Sequence, residues 1–404
     1  MPILLPEDYE YKLPKMYTLH QKFSHDHLEN PEAVLKESLA RGEIRSLVKP
    51  GMKVAVAVGS RGITGISQIV KITVEYLKEL GASPFIVSAM GSHGGGTKEG
   101  QREVLAGYGI TEEAMEVPVV TDTDTVDLGA RKNGKHVWFD SAAYHADLIV
   151  PINRVKLHTD FVGELQSGLC KMLVIGLGNQ KGCSAAHETD FEKFSEMLEE
   201  SASLIIEKAP VGFGIAIMEN AFDETCLLEA IPAAKMIVRE KELVKQCVSK
   251  MPYIQVKKAD IVIVEEIGKD VSGAGFDPNI LGRSTVRNEY LLPVPEFQRM
   301  VLLDVTDASH GNAIGIGLFD VITQKAFEKM DREATYANAL ACKCILDARI
   351  PMVAKDEEEA VRIAVKSCRG LDLENLRIIR IKNTLNLEEI QVSEAIYKEE
   401  KGEK

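Results

Sequence analysis

The feature that most constrains this chain is the alternation of short apolar runs with longer segments of helical period. Val54–Val58 (VAVAV) follows Gly51 and suits a strand buried on both faces. Ile66–Leu80 then places Ile66, Ile69, Val70, Ile72, Val74, Leu77 and Leu80 at mostly helical spacing. The same reading predicts strands at Pro84–Ala89, Ala146–Ile152, Phe213–Met218, Ala259–Val264, Met300–Val305 and Leu376–Ile381. It predicts helices at Thr97–Tyr108 (with Thr97 as N-cap), Asp190–Lys208 and around Ile237–Val248. Further helices are expected near Leu318–Met330, at Glu333–Ala341 and at Glu357–Ser367. This order implies α/β layers with mostly parallel sheets. At 404 residues the chain has room for two such domains. Met251–Val256 separates a long helix from a new strand, so the division is expected at residues 1–255 and 256–404, with an active-site cleft between the domains.

Composition narrows the class. Net charge is −13, which argues against a nucleic-acid partner, since such a partner demands a basic face. Seven cysteines, none in a CxxC pair, read as free thiols in a reducing cytoplasm. The N-terminal residues lack a basic flank followed by an apolar core, and no apolar run approaches the ~20 residues that span a bilayer. A cytoplasmic protein with no membrane partner is the expectation.

Four loops carry unusual residues. Gly59-Ser60-Arg61-Gly62 follows a strand, where parallel folds bind ligands, and Arg61 could grip a carboxylate or phosphate through two parallel hydrogen bonds. Gly91-Ser92-His93-Gly94-Gly95-Gly96 again joins a strand to a helix; its glycines admit an anion to the backbone, and His93 suits acid–base work. The third stretch runs from His158 through Ser167-Gly168-Leu169-Cys170-Lys171 to His187. Lys171 sits in an apolar setting, where a lysine must be paired, lose its charge or be covalently modified. The fourth, Ser272–Ser284, opens the second domain and carries Arg283, which could face Arg61 across the cleft. Each loop also has a plain reading, as a turn or a surface histidine, arginine or structural lysine.

At these four loops the chain resembles the nickel-pincer lactate racemase family, over nearly its whole length and in the same order. The resemblance implies a two-domain α/β enzyme that binds nickel in a nickel-pincer nucleotide, pyridinium-3,5-bisthiocarboxylic acid mononucleotide. Ser167-Gly168-Leu169-Cys170-Lys171 matches the family's Ser-Gly-x-x-Lys stretch, so Ser167, Gly168 and Lys171 become cofactor-binding residues. The lysine can join the cofactor through a thioamide. By the same resemblance His187 is the nickel ligand, His93 and His158 are the catalytic pair, and Arg61 binds substrate. The family's second-domain lysine has no clear match, and Arg283 is the nearest candidate for that substrate-binding role. Two departures stand out. The aspartate three residues before the substrate-binding arginine is Val58 here, and the interval from His158 to Lys171 is a few residues longer. Cofactor-synthesis proteins are implied partners, a homo-oligomer is left open, and the hydroxy acid is not specified.

The chemistry is coherent with that residue set. Removing a hydride from C2 of a 2-hydroxy acid while a base takes the hydroxyl proton gives a planar keto acid. Returning the hydride to the other face inverts the centre. Two bases are needed because the hydroxyl points to opposite sides in the two isomers, and imidazole is suited to both. Nickel favours planar N and S donors, so a cofactor that supplies most ligands needs only one imidazole from the chain. Two alternatives stay open: a zinc hydrolase built on His93, His158 and His187, and a non-catalytic binder of a small phosphorylated ligand.

Overall fold

A computed structural model of the chain describes residues 3–60 and 62–402. Its strands are β1 (Met16–His20), β2 (Lys53–Val58), β3 (Ser83–Ser88), β4 (Val119–Val120), β5 (Thr125–Ala130), β6 (His136–Asp140), β7 (Leu148–Arg154), β8 (Phe213–Glu219) and β9 (Thr225–Pro232). They continue as β10 (Ile261–Ile267), β11 (Arg299–Val305), β12 (Val321–Thr323), β13 (Met352–Ala354), β14 (Ile378–Ile381) and β15 (Glu389–Ser393). The chain forms two compact units. One is Ser24–Met251; the other joins Met1–Phe23 to Pro252–Lys404. Both are α/β with mostly parallel sheets.

The Ser24–Met251 unit holds a six-stranded sheet in the order β4-β3-β2-β7-β8-β9. All neighbours are parallel except β8 and β9. From β2 the chain builds outward through β3 to β4, then returns to the other side of β2 with β7. That reversal opens a crevice beyond the carboxyl ends of β2 and β7, the usual ligand position in such sheets. β2, β7 and β8 are almost wholly buried, which explains their continuous rather than alternating apolar runs. The Ile66–Glu79 helix lays Ile66, Ile69, Val70, Ile72, Val74 and Leu77 into the same core as Val54, Val56 and Val58. Thr97 caps the Lys98–Gly107 helix as expected, accepting the Gly100 N–H at 3.2 Å.

The second unit has a seven-stranded sheet, β1-β15-β14-β10-β11-β12-β13, parallel from β14 through β13 and antiparallel at the β14, β15 and β1 end. This places the first 23 residues apart from the N-terminal domain assigned to 1–255. The reason is pairing: β1 aligns Met16 with Ser393 and His20 with Glu389 at the far end of the chain. The helix expected near Leu318–Met330 is also different. Val321-Ile322-Thr323 is a buried strand between β11 and β13, and the helix spans only Gln324–Lys329. All three residues are β-branched and suit a pleated core better than a helical one. The Asp190–Lys208 helix begins at Phe194, after a single 3₁₀ turn.

Candidate active site

Three loops meet at the carboxyl edge of β2, β3 and β7. The first follows β2 and contains Ser60; Arg61 lies outside the described residues. The second follows β3. The Ala89 N–H donates to Val58 at 2.8 Å and the Gly91 N–H donates to Gly176 at 3.0 Å. The buried Gln101 side chain donates to the Gly91 carbonyl at 3.1 Å and also bonds Ser88 at 2.6 Å, fastening the loop from below. His93 stands exposed at its tip, with Nδ1 in hydrogen-bond contact with Ser60 Oγ.

The third loop leaves β7 and is closed by a two-residue bridge. Lys156 and Ser167 exchange backbone hydrogen bonds of 3.0 and 3.1 Å. The segment between them carries His158. The His158 N–H donates to Gln166 Oε1 at 2.7 Å, and its ring stacks on Phe161 with centroids 4.3 Å apart. After the bridge, Asn153 Nδ2 donates to the Gly168 carbonyl at 2.8 Å, and a helical stretch begins at Leu169. It runs through Lys171 into a π turn at Met172–Gly176, then into the Asn179–Ala186 helix, which His187 ends. One-turn π segments frequently accompany functional sites because they re-aim side chains.

The central contact is between Lys171 and His158. Lys171 Nζ lies 2.6 Å from His158 Nε2, while the Asp160 N–H donates to His158 Nδ1 at 3.0 Å. Nε2 is thus the ring nitrogen that faces the lysine amine. His158 is only 14% exposed. His187 belongs to the same neighbourhood. Phe194 packs between it and Phe161, with centroids 5.5 and 4.7 Å away, and the Lys171 charge bears on its ionisation. His187 Nδ1 donates to the Cys183 carbonyl one turn back at 2.7 Å, so Nε2 is the ring nitrogen not held by that bond. Burial disfavours the imidazolium, but the Cys183 thiol at 3.6 Å and that carbonyl outweigh it, so the ring stays above its ordinary range. The same contact outweighs burial at Cys183 and lowers its thiol. Ser92 Oγ lies 3.7 Å from Cys183 Sγ, tying the His93 loop to the His187 helix.

His93, His158, Lys171 and His187, with Ser167 and Gly168 at the bridge and turn, therefore gather on one sheet edge. Arg283 belongs to the other unit, where it is engaged: its guanidinium bonds Asp320 Oδ2 at 2.6 Å and the Leu318 carbonyl at 3.0 Å, beside the Phe297 ring. Sequence reasoning missed Ser60, Gln166, Cys183 and Glu240. Glu240 had a legible signal, since it occupies an apolar position among Met236, Leu243, Val244 and Cys247 of its helix. The others signal nothing until the loops are folded together.

The residues fit the metal and nucleotide implied by the resemblance. His187 has one ring nitrogen anchored on the Cys183 carbonyl and the other left for a ligand, and Lys171 brings an amine to within 2.6 Å of His158. No group of three or more His, Cys, Asp or Glu among the described residues could hold a metal by itself. Among the described residues no helix is long and apolar enough to cross a membrane.

Two α/β units, one with histidines and a lysine on loops at a parallel-sheet edge, define the class. Comparison with known proteins narrows it. Residues 4–197 match the lactate racemase N-terminal domain. The chain's fold is that of the lactate racemase apoprotein from Thermoanaerobacterium thermosaccharolyticum, with TM-score 0.56 and 14% identity over 91% of this chain and 96% of that one. No curated protein matches by sequence.

Proposed function

We propose that this chain is a racemase or epimerase of a 2-hydroxy acid that works with nickel in a nickel-pincer nucleotide. The observation that carries the reading is the 2.6 Å contact between His158 Nε2 and Lys171 Nζ, inside a region that matches the lactate racemase N-terminal domain. Lys171, with Ser167 and Gly168 beside it, would hold the nucleotide, and His187 Nε2 would ligate the metal. When bound, that group supplies a ring carbon able to take up and return a hydride. The chain does the rest. Arg61 binds the substrate carboxylate. His93 and His158 serve the two faces of the reacting carbon, one taking the hydroxyl proton and the other giving one back.

His158 is built to alternate. In the structure the Asp160 N–H faces Nδ1. To take the hydroxyl proton on Nε2, the ring would hold its own proton on Nδ1, turned from that amide to the Asp160 carboxylate 4.0 Å away. In the reverse direction Nε2 would give that proton to the keto oxygen, with Asp160 stabilising the charged ring in between. The buried Phe161 ring stacks on His158, and Phe194 packs behind it, giving the imidazole an apolar backing.

The test is anaerobic purification from a host that makes the cofactor, followed by nickel analysis, intact mass and chiral chromatography of short aliphatic, aromatic, dicarboxylic and sugar-derived hydroxy acids. Nickel, an adduct on Lys171 and interconversion of one acid's isomers are expected. A loaded-host preparation with none of the three ends the proposal. His93→Ala and His158→Ala should each slow interconversion about 10²-fold or more.

A further inference from the structure

The Ala233–Val248 helix buries a carboxylate that the mechanism above does not use. Glu240 is 0% exposed, and its neighbours on the inward face are Met236, Leu243, Val244 and Cys247. An acid among such residues needs a partner. Oε2 accepts the Cys170 N–H at 2.9 Å, and the Leu169 N–H and Cys170 thiol also bear on the carboxyl. These are the opening groups of the helical turn that carries Lys171, and they have no carbonyl of that turn to donate to. Oε1 is buried without a hydrogen-bond partner. Gly168 fits the same picture. A Cβ there would lie 2.5 Å from the Glu240 carboxyl carbon, although the Gly168 backbone is extended and open to any residue. A side chain at 168 would therefore have to displace the carboxylate.

We propose that Glu240 is a positioning residue for Lys171: reaching across from its own helix, it caps the turn that presents the amine to His158. This rests on the reading of Lys171 as the cofactor anchor. A lysine held 2.6 Å from His158 Nε2 needs its Cα fixed, and the cap, the Asn153–Gly168 bond and the Lys156–Ser167 bridge together fix it. Burial pushes the Glu240 carboxyl up to about 7, as expected for an acid held in place by its contacts rather than by water.

The test uses the full-length, cofactor-free protein and trace acetylation by acetic anhydride at about pH 7.5, where each lysine reacts according to its surroundings. Peptide mass spectrometry reads Lys171 against the exposed Lys36. In Glu240→Ala the Lys171/Lys36 ratio should move about tenfold or more toward that of a free lysine. Glu240→Gln, which keeps one accepting oxygen, should stay within about threefold of the parent. A folded Glu240→Ala chain with the parent's ratio overturns the proposal, as does a Glu240→Gln chain that fails equally. Should Glu240→Ala not fold, Gly168→Ala reads the same contact by pushing the carboxylate off the turn; a parental ratio there overturns it too. Intact mass from the cofactor-making host separates the two readings. A parent chain with no adduct refutes the anchor role and leaves the labelling result standing, whereas full adduct occupancy on Glu240→Ala refutes the positioning role.

Discussion

At the residue scale, the site works by constraining which nitrogen of each imidazole is available. The Cys183 carbonyl claims Nδ1 of His187, and the Asp160 amide claims Nδ1 of His158. Neither choice depends on the ring itself; both follow from where the backbone runs. His187→Ala should therefore strip nickel from the loaded protein while leaving the Asn179–Ala186 helix intact, as read by metal analysis and far-ultraviolet circular dichroism. Glu240 yields a stability prediction with a definite sign. Its carboxyl titrates near 7 in the fold and near 4.5 when unfolded, chiefly through burial. The folded state thus holds the proton more tightly. Its contribution is fully present below about pH 4.5 and is lost as pH rises through about 7. Glu240→Gln removes that dependence. Urea unfolding at pH 5 and pH 8 should show the variant gaining on the parent by about 3 kcal/mol at the higher pH. Equal differences at both values would contradict it.

At the element scale, the site depends on close backbone approach between the His93 loop and the π turn. A Cβ at Gly176 would lie 2.6 Å from the Ala89 carbonyl oxygen, so Gly176→Ala must part the turn from the loop after β3. Gly94 is tighter still. It has φ of 63°, and a Cβ there would lie 2.6 Å from the Gln101 nitrogen. Gly94→Ala should cost about 1–3 kcal/mol through strain and displace His93, seen as a lower melting temperature with loss of interconversion. Gly95, with φ of 67° but open space around it, should lose only the conformational part when changed to alanine. The glycines of this loop were legible in the sequence as an opening for an anion. What their neighbours are, and so which one tolerates a methyl group, was not.

At the scale of the whole molecule, the chain closes on itself inside the second unit. β1 covers the edge of β15, and the Arg362 guanidinium donates to the carbonyls of Asp8 and Tyr11. Deleting residues 1–23 should uncover a β15 edge, lower the stability of that unit and promote self-association, measurable by differential scanning calorimetry and light scattering. The sequence by itself determined the α/β class and most strands and helices, because buried parallel strands and amphipathic helices write their burial into local periodicity. It also placed His93 and His158 in loops that follow strands, whereas Lys171 lies in a helical turn and His187 ends a helix. Only the tertiary structure decided the pairing of β1 with β15, the strand at Val321–Thr323, the engagement of Arg283 with Asp320, and the carboxylate of Glu240 beneath Lys171. Those depend on partners far apart in the chain, and a local pattern carries no information about a partner that it meets only after folding.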